Sequence, residues 1–389
     1  MFNLCGMQEE YTMRIEGCIR GSLLIHFAHT SSMNPSSIPT WPDPMTFNPD
    51  ITSKRKKGAQ RPEFAPIWAT PGHALPKPMR VHLFVNPYSG KKKGPSLGEQ
   101  VAGSLTAAGV PVVQYRSEFA GHLVDLSRSV KAVEGDVFAV VGGDGSFSEV
   151  ITGRFLCGTA NNEVFALVPA GTGNSQAHDL GLHSVKKAVE TVLSGVGQRL
   201  DLAKVDLTEG LPGAEKGRIV RYSHNLVTWG LGVDSTIRAE KMRWMGPVRY
   251  DVGIVLSILA NQRRTAVLEM DGHRMEDDFT LLLIQNSQTG GSQLPLAPGA
   301  SLDDGWMDIG MLKSMTRRQV FKAFGMLKAE GRHVYHPRVD YHRFKTLTIT
   351  TKEPSAVNVD GENLGSTPVS IEVLAGAVTV LVPPSEGEV

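Results

Sequence analysis

Cysteine is scarce in this chain of 389 residues: Cys5, Cys18 and Cys157 are the only three, and no C-x-x-C pair occurs. An odd, scattered set builds neither a disulfide framework nor a cysteine zinc site, and it suits a reducing, cytoplasmic compartment. Long hydrophobic runs are also missing. The best one, 252–260 (VGIVLSILA), falls short of the roughly 18 apolar residues expected of a membrane-crossing helix, so no transmembrane segment is expected. Charge of one sign is not in excess either. Lys+Arg 40 against Asp+Glu 39 leaves a net charge of +1, too weak a field to imply nucleic acid as a partner. The N-terminus lacks the basic, apolar and small-residue order of a secretory leader, and Glu9, Glu10 and Glu16 argue against a transit peptide. No complete G-x-G-x-x-G and no G-x-x-x-x-G-K-[ST] is present, which removes the dinucleotide fingerprint and the P-loop.

Glycine, in contrast, is plentiful: 41 residues, clustered in short loops, where they serve tight turns and close approach of backbone to a ligand. Proline concentrates in 35–78, alongside Ser, Thr and a basic run at 54–57. Such a stretch buries too little apolar surface to order itself, so 1–78 reads as a disordered leader and the basic run as a solvated patch. From Val81 strands alternate with helices. The apolar runs 81–85, 112–117, 137–141 and 164–168 read as strands, and helical spacing appears in 96–108, in 122–130, from Ser146 and up to about Leu193. This predicts a Rossmann-like α/β domain over 79–203 with a parallel sheet whose ligands bind at the strands' carboxyl ends. After 203 the texture is strand-rich, interrupted by helices near 236–260 and 317–329. It predicts an antiparallel β-sandwich over 204–389, with the active site in the cleft between the two domains.

Three glycine loops close the predicted parallel strands. The first, 86–94 (NPYSGKKKG), brings a hydroxyl and lysines to a place suited to phosphate. The second, Gly142-Gly143-Asp144-Gly145-Ser146, runs into a helix that carries Glu149. Glycines and a helix N-terminus favour an anion, and a carboxylate among them makes sense if Asp144 directs a metal or accepts a proton. The bland alternative is a helix N-cap. The third loop is 169–174 (PAGTGN). His333, His336 and His342 show no carboxylate pattern at metal spacing and read as core or surface histidines rather than zinc ligands.

Asn86-Pro-x-Ser-Gly, GGDGS and PAGTGN, in this order, resemble the diacylglycerol kinase catalytic-domain family of lipid kinases. The resemblance covers roughly 81–382. Segments 229–250 and 328–333 look most like its sphingosine and ceramide kinase branch. The resemblance implies ATP and Mg²⁺ as cofactors and a lipid substrate met at a membrane surface, with a cytoplasmic, peripheral location. It implies a nucleotide site made of Asn86, Ser89, Lys91, Ser117, Gly142, Gly143, Gly145, Ser146, Glu149, Gly171, Thr172, Gly173, Asn174, Arg243, Arg249, Asp360 and Gly361. It further implies a structural Mg²⁺ on Asp304 with the carbonyls of Ser301 and Trp306. The base is Asp144 or, at the family's DGE turn, Glu362. Asp234 is the candidate reader of a sphingoid ammonium, although a second acid of the sphingosine kinase pattern is replaced here by Thr236.

The sequence thus predicts an ATP-dependent kinase acting on the primary hydroxyl of a sphingoid base or related lipid. Diacylglycerol or ceramide kinase, an NAD kinase-like enzyme and a non-catalytic nucleotide-binding protein stand as alternatives. Oligomeric state is left open.

Overall fold

In the computed structural model, which describes residues 62–160, 163–171, 173–291 and 293–384, the predicted parallel strands form as β1 (Arg80–Val85), β2 (Val112–Arg116), β3 (Asp136–Gly142) and β4 (Val164–Pro169). The helices between and after them are α1 (Gly94–Ala107), α2 (His122–Ser129), α3 (Asp144–Leu156), α4 (Ser175–Asp179) and α5 (Val185–Ser194). Continuous apolar runs suit strands covered on both faces, and β3 is buried at every position. Phe84, Phe138, Phe147 and Phe165 fill the core they share with the helices. β1 pairs in parallel with both β2 and β3, and β3 with β4. The chain therefore leaves β1 in one direction along the sheet and β3 in the other. Their carboxyl ends diverge, and the fold opens a crevice there.

The second half is antiparallel. It comprises β5 (Val196–Glu209), β6 (Gly217–Ser223), β7 (Leu226–Gly230), α6 (Leu231–Lys241), a 3₁₀ segment (Arg243–Val248), α7 (Arg249–Ala260), β8 (Arg264–Met270) and β9 (His273–Gln285). It continues with β10 (Met307–Lys313), α8 (Arg317–Lys328), β11 (Val339–Phe344), β12 (Thr346–Thr351), β13 (Ala356–Val359) and β14 (Glu362–Val382). Trp229, Phe279, Ile309 and Phe344 anchor its separate core. β14 is the joint. It runs antiparallel to β5 for most of its length and then pairs in parallel with β4 through Thr379–Val164 and Val380–Phe165. One hydrogen-bonded path results, β11-β10-β9-β7-β13-β14-β4-β3-β1-β2. It carries the turn between β13 and β14 to the crevice of the parallel half.

Four details differ from the sequence reading. β5 begins at Val196, ahead of the strand-rich region placed after 203. The segments 368–374 and 377–382 are one strand with an irregularity between Leu374 and Val378. The helix expected over 236–260 is broken by the 3₁₀ segment around Pro247, whose ring cannot continue an α-helix. Residues 62–78 are an extended strap rather than part of a disordered leader, while 1–61 lie outside the described residues. Ala65 N–H donates to the Pro298 carbonyl (2.8 Å), Leu302 N–H to that of Ile67 (2.9 Å), and His73–Ala74 pair with the start of β5. Ile67, Trp68 and Leu75 pack on the core and offset the ordering cost that the prolines alone suggested.

Candidate active site

A cavity of about 300 Å³ occupies the crevice. Its walls are Asn86, Tyr88, Ser89 and Gly90 after β1, Gly143, Gly145 and Ser146 after β3, Gly171 after β4, and the turn Asp360-Gly361-Glu362 between β13 and β14. Asn86 ties the first two loops together: its Nδ2 donates to Ser146 Oγ (2.9 Å), while its Oδ1 accepts the Tyr88 N–H (3.0 Å). Glycine is required at two contacts. A Cβ on Gly171 would lie 2.7 Å from the Gly143 Cα, and one on Gly90, at φ +55°, would lie 2.4 Å from the Ala170 carbonyl oxygen. The loops touch through bare backbone, and the N-terminus of α3 opens beside them, an arrangement that favours phosphate oxygens. A larger cavity of about 610 Å³, beside Trp68, Lys187 and Pro383, is lined by none of the motif residues.

Four motif carboxylates lie about this cavity; Asp360 and Glu362 are on its wall, and Asp144 and Glu149 are not. Asp144 caps α4: its Oδ2 accepts the Ser175 N–H and its Oδ1 the Gln176 N–H, each at 3.2 Å. Its backbone carbonyl accepts from His224 Nε2 (3.0 Å). Burial raises its pKa, against the pull of His224, and it does not line the cavity. The first-choice base of the sequence reading is thus committed to backbone donors. Asp360 is saturated by the Ser223 hydroxyl (2.8 Å) and the N–H groups of His224, Asn225 and Leu226, so it pins the turn between β13 and β14 instead of meeting a nucleotide through its carboxylate. Glu149 accepts from the N–H groups of Gly121 (3.0 Å) and Leu123 (3.1 Å) and bonds to the side chain of Glu362; it holds the loop before α2 and is not on the cavity wall.

Glu362 is the exception. Burial, reinforced by the neighbouring Glu149 charge and their hydrogen bond, pushes its carboxyl up to about 7. Its Oε1 comes within 3.2 Å of the position a Cβ on Gly145 would take. Two like charges in contact cannot both ionise freely, and burial raises the carboxyls of both. The Arg221 guanidinium adds an attractive charge to both, and burial lowers its own pKa. A carboxylate poised near pH 7 beside a phosphate cradle can accept a proton from an attacking hydroxyl.

The other predicted site residues lie elsewhere. Asp234 is held by both oxygens on Arg264 (2.8 and 3.1 Å), so its charge is neutralised internally and it does not offer itself to a substrate ammonium. Asp304, expected to hold a structural Mg²⁺ with the carbonyls of Ser301 and Trp306, accepts the Trp306 N–H (3.1 Å) and pairs with Arg343 Nη1 (3.2 Å); Ser301 is buried, with its hydroxyl on the Ile67 carbonyl (3.4 Å). Lys91 is exposed beyond Gly90. Ser117 is buried after β2, its N–H on the Val85 carbonyl (3.1 Å). Gly142 ends β3, and Asn174 bonds back to the Gly171 carbonyl (3.0 Å), with Gly173 between them. Arg249 opens α7 and does not line the cavity; Thr172 and the side chain of Arg243 lie outside the described residues. Sequence reasoning missed Tyr88 on the rim, and also Arg221 and His224, which belong to no loop motif and reach the site only through pairing of distant strands.

Residues 80–205 match the model of the diacylglycerol kinase catalytic domain, and 225–382 match that of the YegS C-terminal NAD kinase beta sandwich-like domain. The chain is similar to a diacylglycerol kinase of Mycobacterium tuberculosis (29% identity, covering 78% of this chain and 95% of that one). It is also similar to a diacylglycerol kinase of Bacillus subtilis (25%, covering 79% and 98%) and to sphingosine kinase 1 of Arabidopsis thaliana (25%, covering 79% and 72%). These relatives do not single out the sphingosine branch. A crystal structure of a diacylglycerol kinase from Bacillus anthracis shares the fold, with a TM-score of 0.63 and 22% identity over 80% of this chain and 99% of that one.

Proposed function

Because the chain belongs to the diacylglycerol kinase catalytic-domain family and is a lipid kinase, we propose that it transfers the γ-phosphoryl group of ATP to the primary hydroxyl of an uncharged lipid alcohol of the diacylglycerol class. The observation that carries this reading is Glu362, a carboxyl at about 7 facing a glycine-walled cavity. The phosphates rest on the backbone of Gly143, Gly145 and Gly171 and on the hydroxyls of Ser89 and Ser146. The lipid hydroxyl attacks the γ-phosphorus in line and passes its proton to Glu362, and ADP leaves. Catalysis is otherwise positioning and charge stabilisation.

Mg²⁺ bound to the phosphates would neutralise charge on the transferring group. Of the two acids that line the cavity among the described residues, Asp360 has its oxygens taken up by Ser223 and backbone donors, which leaves Glu362 and fits an ion carried mainly by phosphates and water, the usual habit of Mg²⁺. The Asp234–Arg264 pair weighs against a charged sphingoid base as acceptor. The similarity to plant sphingosine kinases keeps that class as the second reading. No helix among the described residues is long and apolar enough to cross a membrane; the proposed acceptor would be met at a membrane surface.

The test is incubation with γ-labelled ATP and diacylglycerol, ceramide, sphingosine or NAD, with products separated by chromatography. Label is expected in phosphatidic acid. Label only in sphingosine phosphate would replace the first reading by the second, and label only in NADP would overturn both.

A further inference from the structure

Among the described residues, half of the large hydrophobic side chains that stand exposed, six of twelve, lie in two neighbouring segments: Trp244, Val248, Val255, Leu256 and Leu259 around α7, and Phe321 on α8. Trp244 is 83% exposed. Leu259 and Lys328 show how the helices lie. Arg317 Nε at the start of α8 donates to the Leu259 carbonyl at the end of α7 (2.6 Å), and Lys328 at the end of α8 pairs with Asp251 at the start of α7 (3.7 Å). The helices are therefore antiparallel neighbours, and equal steps along each bring Phe321 level with Val255 and Leu256. Positions 255, 256 and 259 form one outward stripe, while Ile254 and Ile258 turn inward to the core.

Charge on the same segments is one-sided. Residues 241–264 and 317–328 contain nine Lys and Arg against the single acid Asp251, in a chain whose totals balance at 40 and 39; of the nine, Arg264 is paired with Asp234 and Lys328 with Asp251. An apolar stripe with an aromatic at its edge and cations around it is the composition of an element that lies in a lipid headgroup layer. The face is also joined to the proposed site. Arg238 on α6 bonds to Ser257 on α7 (2.7 Å), and Thr236 on α6 meets Asn363, the residue after Glu362 (3.1 Å).

We propose that the α7–α8 face docks on an anionic lipid bilayer, with Trp244, Val255, Leu256 and Leu259 entering the headgroup boundary and Arg318 and Lys322 meeting lipid phosphates. This deepens the lipid-acceptor reading and rests on it: a diacylglycerol is delivered from the surface on which the enzyme sits.

The test is cosedimentation of the full chain, without ATP, with vesicles of phosphatidylcholine alone or mixed with phosphatidylglycerol. Wild type is expected to pellet with the anionic vesicles, less so as salt is raised. Trp244→Ser with Leu259→Ser should weaken binding at least tenfold, and Arg318→Gln with Lys322→Gln by roughly fivefold for each cation removed. Unchanged melting temperatures show that both double variants are folded. Wild type indifferent to anionic lipid, or both variants binding as wild type does, would overturn the proposal. So would a wild-type dimer in sedimentation equilibrium that the apolar variant dissociates, since the face would then belong to a second copy of the chain. Turnover of a water-dispersed short-chain diacylglycerol is measured separately. Its absence would count against the acceptor reading, while loss of vesicle binding with that turnover intact counts only against the docking face.

Discussion

Beside the glycine loops, Glu149 and Glu362 share a hydrogen bond at the edge of a cavity. In the β-sandwich half, Asp304 and Asp308 gather about Arg343, and the nearby Asp201 accepts from the N–H groups of Gly305 (2.6 Å) and Gly376 (2.5 Å). Burial raises acids in both groups: Glu362 to about 7, Asp201 and Asp308 to about 6. A raised pKa alone therefore does not separate them. The second group has a guanidinium beside Asp304 and Asp308 and backbone donors on Asp201 and Asp304, and holds its region together. The first has an open wall and a carboxyl whose proton can be exchanged with a ligand. In this molecule burial makes an acid basic, and access to a cavity makes that basicity usable.

The strongest way to break this contrast is at Glu362. Glu362→Gln should lower kcat by roughly 10²–10⁴-fold, the usual cost of losing a general base, while its melting temperature stays near wild type. A folded variant with near-normal turnover would return the role to Asp144, whose own Asn variant should lose stability along with activity. Next comes Arg343→Ala, expected to destabilise by about 3–5 kcal/mol because it leaves Asp304 and Asp308 buried without their cation. Acids without a cation favour the protonated form, so in thermal melts the deficit should shrink as pH is lowered.

A pH profile sharpens the comparison further. Glu362 must be ionised to accept a proton, so kcat should rise with pH through about 7. Its folded pKa lies above the ordinary carboxylate value, so the same group favours the folded state at low pH, and that contribution is lost as pH climbs from the ordinary value toward 7. Glu149→Gln removes a like charge and should move the activity limb to lower pH; an unmoved limb would mean that Glu149 does not act on the base. The smallest expected effect is at Asp234. Asp234→Asn should change kcat/KM for diacylglycerol only modestly, and sphingosine should lose no more than diacylglycerol does. A selective loss on sphingosine would restore Asp234 as a reader of the ammonium.

Much of the parallel half was legible in the sequence. VHLFV, VFAVV and VFALV are continuous apolar runs, and each ends in a glycine-bearing or Asn-Pro turn, so strand, turn and site wall were written within a few residues of one another. The strap 62–78 was not legible. Its prolines suggested disorder, and only pairing with Pro298, Leu302 and the start of β5 gives its backbone partners. The roles of the acids were legible only as a set. Asp144, Asp360, Asp234 and Asp304 carry chemistry-bearing patterns, yet each spends its oxygens on backbone donors or an arginine.

The sequence by itself determined where backbone could approach a phosphate, because glycine spacing and apolar runs act locally through backbone sterics and burial. Which carboxylate can move a proton was decided only by the tertiary structure. Glu149 and Glu362 lie on α3 and β14, far apart in the chain. The shift that makes one of them useful exists only once β14 closes the joint between the two halves and brings both into the same buried space beside the cavity.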